Sequence, residues 1–164
     1  MTTIRTRTID SPIGPLTLAG DDRALTHLVM HSQTHPPKQQ SGWETDESIF
    51  PEVVDQLAAY FAGELTAFKV ATRLEGTAFQ QRVWRALCDI PYGETESYGE
   101  LAARIGQPTA SRAVGLANGR NPIALIVPCH RVIGASGTLV GYGGGLDRKQ
   151  TLLALERGQR ALRL

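Results

Sequence analysis

Residues 122–133 read Pro122-Ile123-Ala124-Leu125-Ile126-Val127-Pro128-Cys129-His130-Arg131-Val132-Ile133, and the rest of the chain is organised around them. The apolar run 123–127 reads as a buried segment, and Pro128 stops it. A thiol, an imidazole and a guanidinium then follow one another directly. The thiolate is the reactive form of cysteine, and a nearby base or positive charge lowers a thiol pKa from its usual value of about 8.5. Cys129 is therefore a candidate nucleophile. The same stretch admits a second reading, a small core hydrophobe, because unpaired cysteine is among the most buried residue types. The flanking segments must decide.

Downstream, residues 134–145 run Gly-Ala-Ser-Gly-Thr-Leu-Val-Gly-Tyr-Gly-Gly-Gly. So many glycines beside a candidate nucleophile let backbone N–H groups approach a ligand. No Lys-Ser/Thr follows them, so this is not a phosphate-binding P-loop. A last helix is predicted from Leu146 to about Arg157, with Leu152, Leu153 and Leu155 apolar and Glu156 near its end.

Upstream, Thr77 is placed to cap a helix carrying Phe79, Val83, Trp84, Leu87 and Ile90, closed by Pro91-Tyr92-Gly93. Cys88 lies beside its core positions and reads as structural. Ser97-Tyr98-Gly99-Glu100 matches a capping box and opens a short helix through Ile105. After Gly106-Gln107, a second helix is predicted from Pro108 through Ala117, ended by Asn118-Gly119. Two short helices around such a turn fit the helix-turn-helix pattern. Base-edge reading in a major groove calls for Asn, Gln, Arg or Lys on one face. The second helix offers Ala110, Ser111, Ala113 and Gly115, with Arg112 as its one long cation. Taken alone, that segment is better explained as an ordinary packed helix pair.

The N-terminal part alternates apolar and polar residues over Ile4–Ile9, turns at residues 10–15, and returns through residues 16–19. Residues 24–30 read as a third strand, 31–48 as a long surface loop, and Phe68, Val70 and Thr72 as a further strand. Between them Pro51 opens a helix to Leu65 whose stripe is Val53, Val54, Leu57, Tyr60 and Phe61. His27, His31 and His35 fall four apart, but the segment reads as strand and loop with no carboxylate interleaved, so no metal site is expected. No catalytic constellation is visible here, and the unit reads as scaffold.

The fold class expected is α+β. A small N-terminal antiparallel-sheet αβ subdomain (1–76) precedes a mostly helical C-terminal subdomain (77–164) containing a helix-turn-helix. With 164 residues, 41% hydrophobic and 20% charged, the composition is that of a globular protein. The start shows no secretory signal and no stretch approaches the roughly 18 apolar residues of a membrane span, so a cytoplasmic protein is expected. Two cysteines make neither a disulfide framework nor a cysteine-rich zinc site. The net charge is +1, but residues 1–75 carry 6 Lys/Arg against 10 Asp/Glu, whereas 76–164 carry 11 against 6. Ten of those 11 are Arg, the side chain suited to forked phosphate contacts, which hints at a nucleic-acid partner.

Together, Pro128-Cys129-His130-Arg131-Val132, Arg112-Ala113-Val114-Gly115 and Asn121-Pro122 closely resemble the O6-alkylguanine-DNA alkyltransferases. The resemblance covers residues 77–164 in register. It extends more loosely to Ser11-Pro12-Ile13-Gly14 and Tyr60-Phe61-Ala62-Gly63. It implies direct repair of O6-alkylguanine, with O4-alkylthymine as a second substrate, by transfer of the alkyl group to Cys129. It further implies that His130 takes the thiol proton through a water, that Glu156 orients His130, and that Asn121 ties the helix pair to the active-site segment. Tyr98, the carbonyls of Cys129 and Val132, Tyr142 and Gly143 would meet the base. Ala110, Ser111 and Gly115 would lie against the minor groove, and Arg112 would fill the gap left by a flipped-out base. The thioether has no hydrolytic exit, so each molecule acts once. The implied partner is double-stranded DNA containing alkylated guanine, met by a monomer with clustering along the DNA as a further expectation, and with no cofactor, metal or membrane.

This chain departs from the family pattern at several positions. Gly143 stands where some members have serine, removing a hydroxyl donor. Ala124 stands where some have proline, leaving room for bulkier alkyl groups. No cysteines match the zinc site of some relatives, and Ser111 often corresponds to alanine. Two other function classes fit these residues less well. A non-catalytic DNA binder is disfavoured by Cys129 and by the polar-poor second helix. A Cys-His acyl hydrolase would turn over repeatedly without DNA.

Overall fold

The computed structural model describes residues 3–33, 42–137, 142 and 144–162. The α+β expectation holds: a small sheet with one helix comes first, and a mostly helical half follows. Strands β1 (Arg5–Ile9), β2 (Leu16–Gly20) and β3 (Leu25–Met30) form an antiparallel meander, and a two-residue β4 (Glu44–Thr45) runs parallel to β1 at the edge. β4 corrects the expected surface loop over 31–48, of which residues 34–41, including His35, lie outside the described residues. Leu16, Leu18, Leu25 and Leu28 are fully buried beneath helix α1 (Pro51–Phe61), which presents Val53, Leu57 and Tyr60 to them.

The expected strand over 68–72 reduces to one bridge, Leu25 to Thr72, with the Leu25 N–H donating to Ala71 O at 2.9 Å and the Arg73 N–H to Leu25 O at 3.0 Å. A second bridge joins Leu28 to Ile123: the Leu28 N–H donates to Pro122 O (2.9 Å) and the Ala124 N–H to Leu28 O (3.1 Å). Unpaired strand edges invite foreign strands. Here the β3 edge instead receives the segment that leads to Cys129, so the sheet positions the site.

In the second half, α2 (Ala78–Leu87) starts at a Thr77 capping box completed by Gln80. Its Trp84 Nε1–H donates to Ala117 O at 2.8 Å. Cys88 is its C-cap and is exposed, which corrects the reading of a structural core cysteine. Helix α3 (Tyr98–Arg104) starts at the expected Ser97–Glu100 box. Helix α4 spans Ser111–Gly119, starting later than expected, because residues 107–110 form a turn in which the Ala110 N–H donates to Gln107 O; Ala110 is therefore the N-cap. Two short strands, β5 (Glu96–Ser97) and β6 (Val132–Ile133), pair in parallel and tie the start of α3 to the residues after Cys129. Helix α5 (Leu146–Leu162) closes the structure. Both halves share one continuous apolar core.

Candidate active site

The turn that carries the thiol is held from three sides. Asn121 Nδ2 donates to Val127 O (2.8 Å) while its Oδ1 accepts from the Ile123 N–H (3.0 Å), bracing residues 121–127 across the chain reversal. Within it Leu125 adopts φ +70°, a left-handed conformation that a branched residue holds only under tertiary constraint. The β3 bridge to Ile123 supplies the second hold. The third comes from α4, where buried Asn118 donates through Nδ2 to Cys129 O at 3.3 Å. Residues Cys129–Arg131 then form a single 3-10 turn.

Cys129 is 6% exposed and His130 is fully buried. The cation expected beside the thiol is not Arg131. The His130 and Arg131 side chains both turn to Glu156 on α5: His130 Nε2 lies 2.7 Å from Oε2, and Arg131 Nε donates to Oε1 at 2.9 Å. Tyr60 Oη donates to the same carboxylate at 2.6 Å. Burial alone would raise the Glu156 pKa, but the hydrogen bonds from His130 and Arg131 and the charge of Arg131 outweigh it and hold the carboxyl at about 2. Glu156 is thus a carboxylate, and His130 Nε2–H donates to it. Burial pulls the His130 pKa below the usual histidine range, leaving the ring neutral. Its Nδ1 then keeps a lone pair and has no hydrogen-bond partner among the described residues.

Burial pushes the Cys129 thiol above the ordinary cysteine range, against hydrogen bonds from Asn121 and Tyr142 and the charge of Lys149. The nearby cation is therefore Lys149, on α5, and Arg131 is spent on Glu156. Lys149 is fully buried, and its Nζ donates to Val132 O at 2.5 Å and stands 5.9 Å from the Tyr142 ring centroid. Desolvation lowers its pKa to about 8, with the thiol opposing. The Val132 carbonyl, expected to receive a base, already accepts from Lys149, and the Cys129 carbonyl accepts from Asn118 and the Val132 N–H. A carbonyl has two lone pairs, so both of those on Cys129 O are engaged, whereas Val132 O has a second beyond the one Lys149 occupies.

Three contributors escaped the sequence reading. Lys149 lies on the stripe Lys149, Leu152, Leu153, Glu156, whose helical spacing was a usable signal. Tyr60 and Met30 carried none, since each meets the site across a long chain separation. Met30 and Gln33 belong to the unit read as scaffold, yet with Asn118, Asn121, Ala124 and Tyr142 they line the cleft at Cys129. Gly143 lies outside the described residues.

On the outer surface, Tyr98 begins α3 and Gly115 of α4 faces its ring; a Cβ there would stand 3.7 Å from it, an ordinary contact. Helix α4 buries Val114, Ala117 and Asn118 and exposes Ser111, Arg112, Ala113 and Leu116. Small side chains and one cation thus line its outer face, with Leu116 the large apolar exception at 70% exposure.

A buried thiol next in sequence to a carboxylate-held imidazole, joined to a two-helix unit with a small-residue outer face, places the chain in the class of proteins with a candidate cysteine nucleophile. The family model described as "6-O-methylguanine DNA methyltransferase, ribonuclease-like domain" matches residues 4–74, and "6-O-methylguanine DNA methyltransferase, DNA binding domain" matches 78–158. The methylated-DNA–protein-cysteine methyltransferase of Mycolicibacterium paratuberculosis is 66% identical over 94% of this chain and 93% of its own. That of Methanosarcina mazei is 55% identical over 90% and 94%. The crystal structure of Mycobacterium tuberculosis OGT in complex with DNA superposes with a TM-score of 0.92 at 64% identity, covering 94% of each chain. The chain belongs to the 6-O-methylguanine DNA methyltransferase family.

Proposed function

We propose that Cys129 is the alkyl acceptor of this chain and that His130, Glu156 and Asn121 prepare it. The activity is that of a methylated-DNA–protein-cysteine methyltransferase: DNA repair by alkyl transfer to a protein cysteine. The observation that carries the assignment is the buried Glu156–His130 pair, which leaves a neutral imidazole with a lone pair on Nδ1 next in sequence to the thiol. His130 Nδ1 takes the thiol proton through a water, and ionised Glu156 stabilises the imidazolium that results. The thiolate sulfur attacks the alkyl carbon. The S–C bond forms as the C–O6 bond breaks, the electron pair stays on the purine, and the purine is then protonated. Lys149 and Tyr142 offset part of the cost of a buried thiolate. Asn121 holds the turn on which the sulfur sits.

Burial of Cys129 means that a base within a duplex cannot reach it, so the alkylated nucleotide leaves the stack. Arg112 fills the space it vacates, and Ala110, Ser111 and Gly115 let α4 approach the minor groove. Tyr98, at the start of the neighbouring helix, meets the extruded base together with Tyr142 and the Val132 segment. O6-alkylguanine and O4-alkylthymine share the alkyl ether on which the reaction depends. The thioether product has no hydrolytic exit, so turnover ends after one transfer.

The test is intact mass after incubation with a duplex containing O6-methylguanine, followed by peptide mapping. A gain of one CH2 unit on Cys129, saturating at one per protein and absent in Cys129→Ser, is expected. DNA binding without any mass gain would reduce the chain to a damage-recognition module. Repeated turnover without DNA would indicate a hydrolase.

A further inference from the structure

The cleft at Cys129 has a volume of about 20 Å3. That is room for about one water, whereas small-molecule pockets run to roughly 300 Å3 or more. A base carrying an alkyl group enters only if a wall yields. Asn118 and Asn121 are tethered walls, each donating to a backbone carbonyl. Met30, the last residue of β3, is held more weakly, by the long Tyr142 contact to its sulfur. It is 3% exposed, its Sδ lies 4.0 Å from Tyr142 Oη, and its Cε and Sδ occupy the space beside Gly144. A Cβ on Gly144 would fall 2.7 Å from both of those atoms and 2.8 Å from the Tyr142 ring, so the missing side chain at 144 is what admits the thioether.

The backbone under Met30 is held firmly, whereas its side chain has one long contact, the Tyr142 hydroxyl donating to its sulfur at 4.0 Å. The Met30 N–H donates to Gln33 Oε1 at 2.8 Å, and the Gln33 N–H donates back to Met30 O at 3.3 Å. Arg148 of α5 donates to Ile13 O (2.9 Å), His31 O (2.5 Å) and Gly144 O (3.3 Å), clamping the end of β3 against the Gly144 segment. Methionine has three rotatable bonds and a polarisable sulfur, so it fills irregular gaps and repacks readily.

Resting on the alkyl-transfer reading above, we infer that Met30, from the N-terminal unit, is the compliant wall of the alkyl pocket and sets which O6 adducts this chain accepts. A methyl adduct needs little displacement of the thioether. A benzyl adduct needs the side chain to swing away from Tyr142 and Gly144. The N-terminal unit is then a specificity element as well as a support.

The experiment compares single-turnover transfer rates from two duplexes of identical sequence, one with O6-methylguanine and one with O6-benzylguanine. Met30→Ala removes the wall. Met30→Ile keeps its volume in a strand that favours β-branched residues but stiffens it at χ1. One methylene of pocket contact is worth about 10-fold or more in discrimination. The benzyl-to-methyl rate ratio is therefore expected to rise about 10-fold in Met30→Ala and to fall several-fold in Met30→Ile. Should Met30→Ala fail to fold, the ratio in Met30→Ile decides alone. Rates that change in proportion for both duplexes, leaving the ratio at its wild-type value, overturn the inference while the transfer reading stands. Transfer from neither duplex by the unaltered chain overturns both.

Discussion

Glu156 concentrates the electrostatics of the site in one carboxylate, which accepts from Tyr60, His130 and Arg131. A buried ion network of this kind is expensive to desolvate, and removing one partner leaves the others uncompensated. The pH behaviour follows from its depressed pKa. Between about 2 and the ordinary carboxylate value of 4.5, the unfolded chain binds a proton at Glu156 that the folded chain does not. Its stabilising contribution is complete above 4.5 and is lost as pH falls towards 2. His130, whose pKa is lowered by burial, acts in the same direction from the ordinary histidine value of 6.5 downwards. Urea midpoints of the unaltered chain should therefore fall as pH drops below neutrality. Glu156→Gln should show a shallower fall below pH 4.5; an equal slope in both proteins would place the acid lability elsewhere.

Among elements, α1 acts at a distance. Its stripe was legible as a core face, and Tyr60 indeed packs on Phe61, Phe68 and Tyr92. Its hydroxyl, however, reaches across 96 residues of chain to Glu156. Hydrogen bonds to charged groups contribute about 1.5–3 kcal/mol. Tyr60→Phe should lower the unfolding free energy by about that amount and slow alkyl transfer, because the carboxylate that orients His130 loses a fixed donor. Urea denaturation beside a single-turnover assay measures both. A stability loss with an unchanged transfer rate would confine Tyr60 to packing. The α3–α4 pair shows the complementary case. Its capping box at Ser97 is local chemistry and fell where the residues placed it, whereas α4 began late because the Gln107–Ala110 turn outlasted the proline signal.

For the whole molecule, the two halves form one packed body. The Leu28–Ile123 bridge, the Tyr60–Glu156 bond and the Arg148 clamp all cross between them. A group added to Cys129 enters a cleft of about 20 Å3 and cannot be relieved by one half alone. Overpacking a filled interior costs about 1–3 kcal/mol, and each kcal/mol shifts Tm by about 2–4 °C for a chain near this size. The alkylated protein should melt several degrees below the unmodified one by scanning calorimetry. Equal Tm values would mean that the cleft opens without strain.

The sequence by itself determined what depends on local chemistry. The capping boxes, the amphipathic faces of α1 and α2, the Pro-Cys-His-Arg segment and the carboxylate near the chain's end are functions of neighbouring residues and of a recognisable motif. Only the tertiary structure decided which distant groups share the site. It turned Arg131 from the thiol to Glu156, brought Lys149 in as the buried cation, and paired β5 with β6. It also placed Tyr60 and Met30 of the N-terminal unit against Glu156 and the Cys129 cleft. These contacts join residues far apart in the chain and are selected by burial and hydrogen-bond satisfaction over the entire core. Apart from the helical spacing that sets Lys149 on the face of α5 that carries Glu156, no short window of sequence contains both partners, so no local pattern announces them.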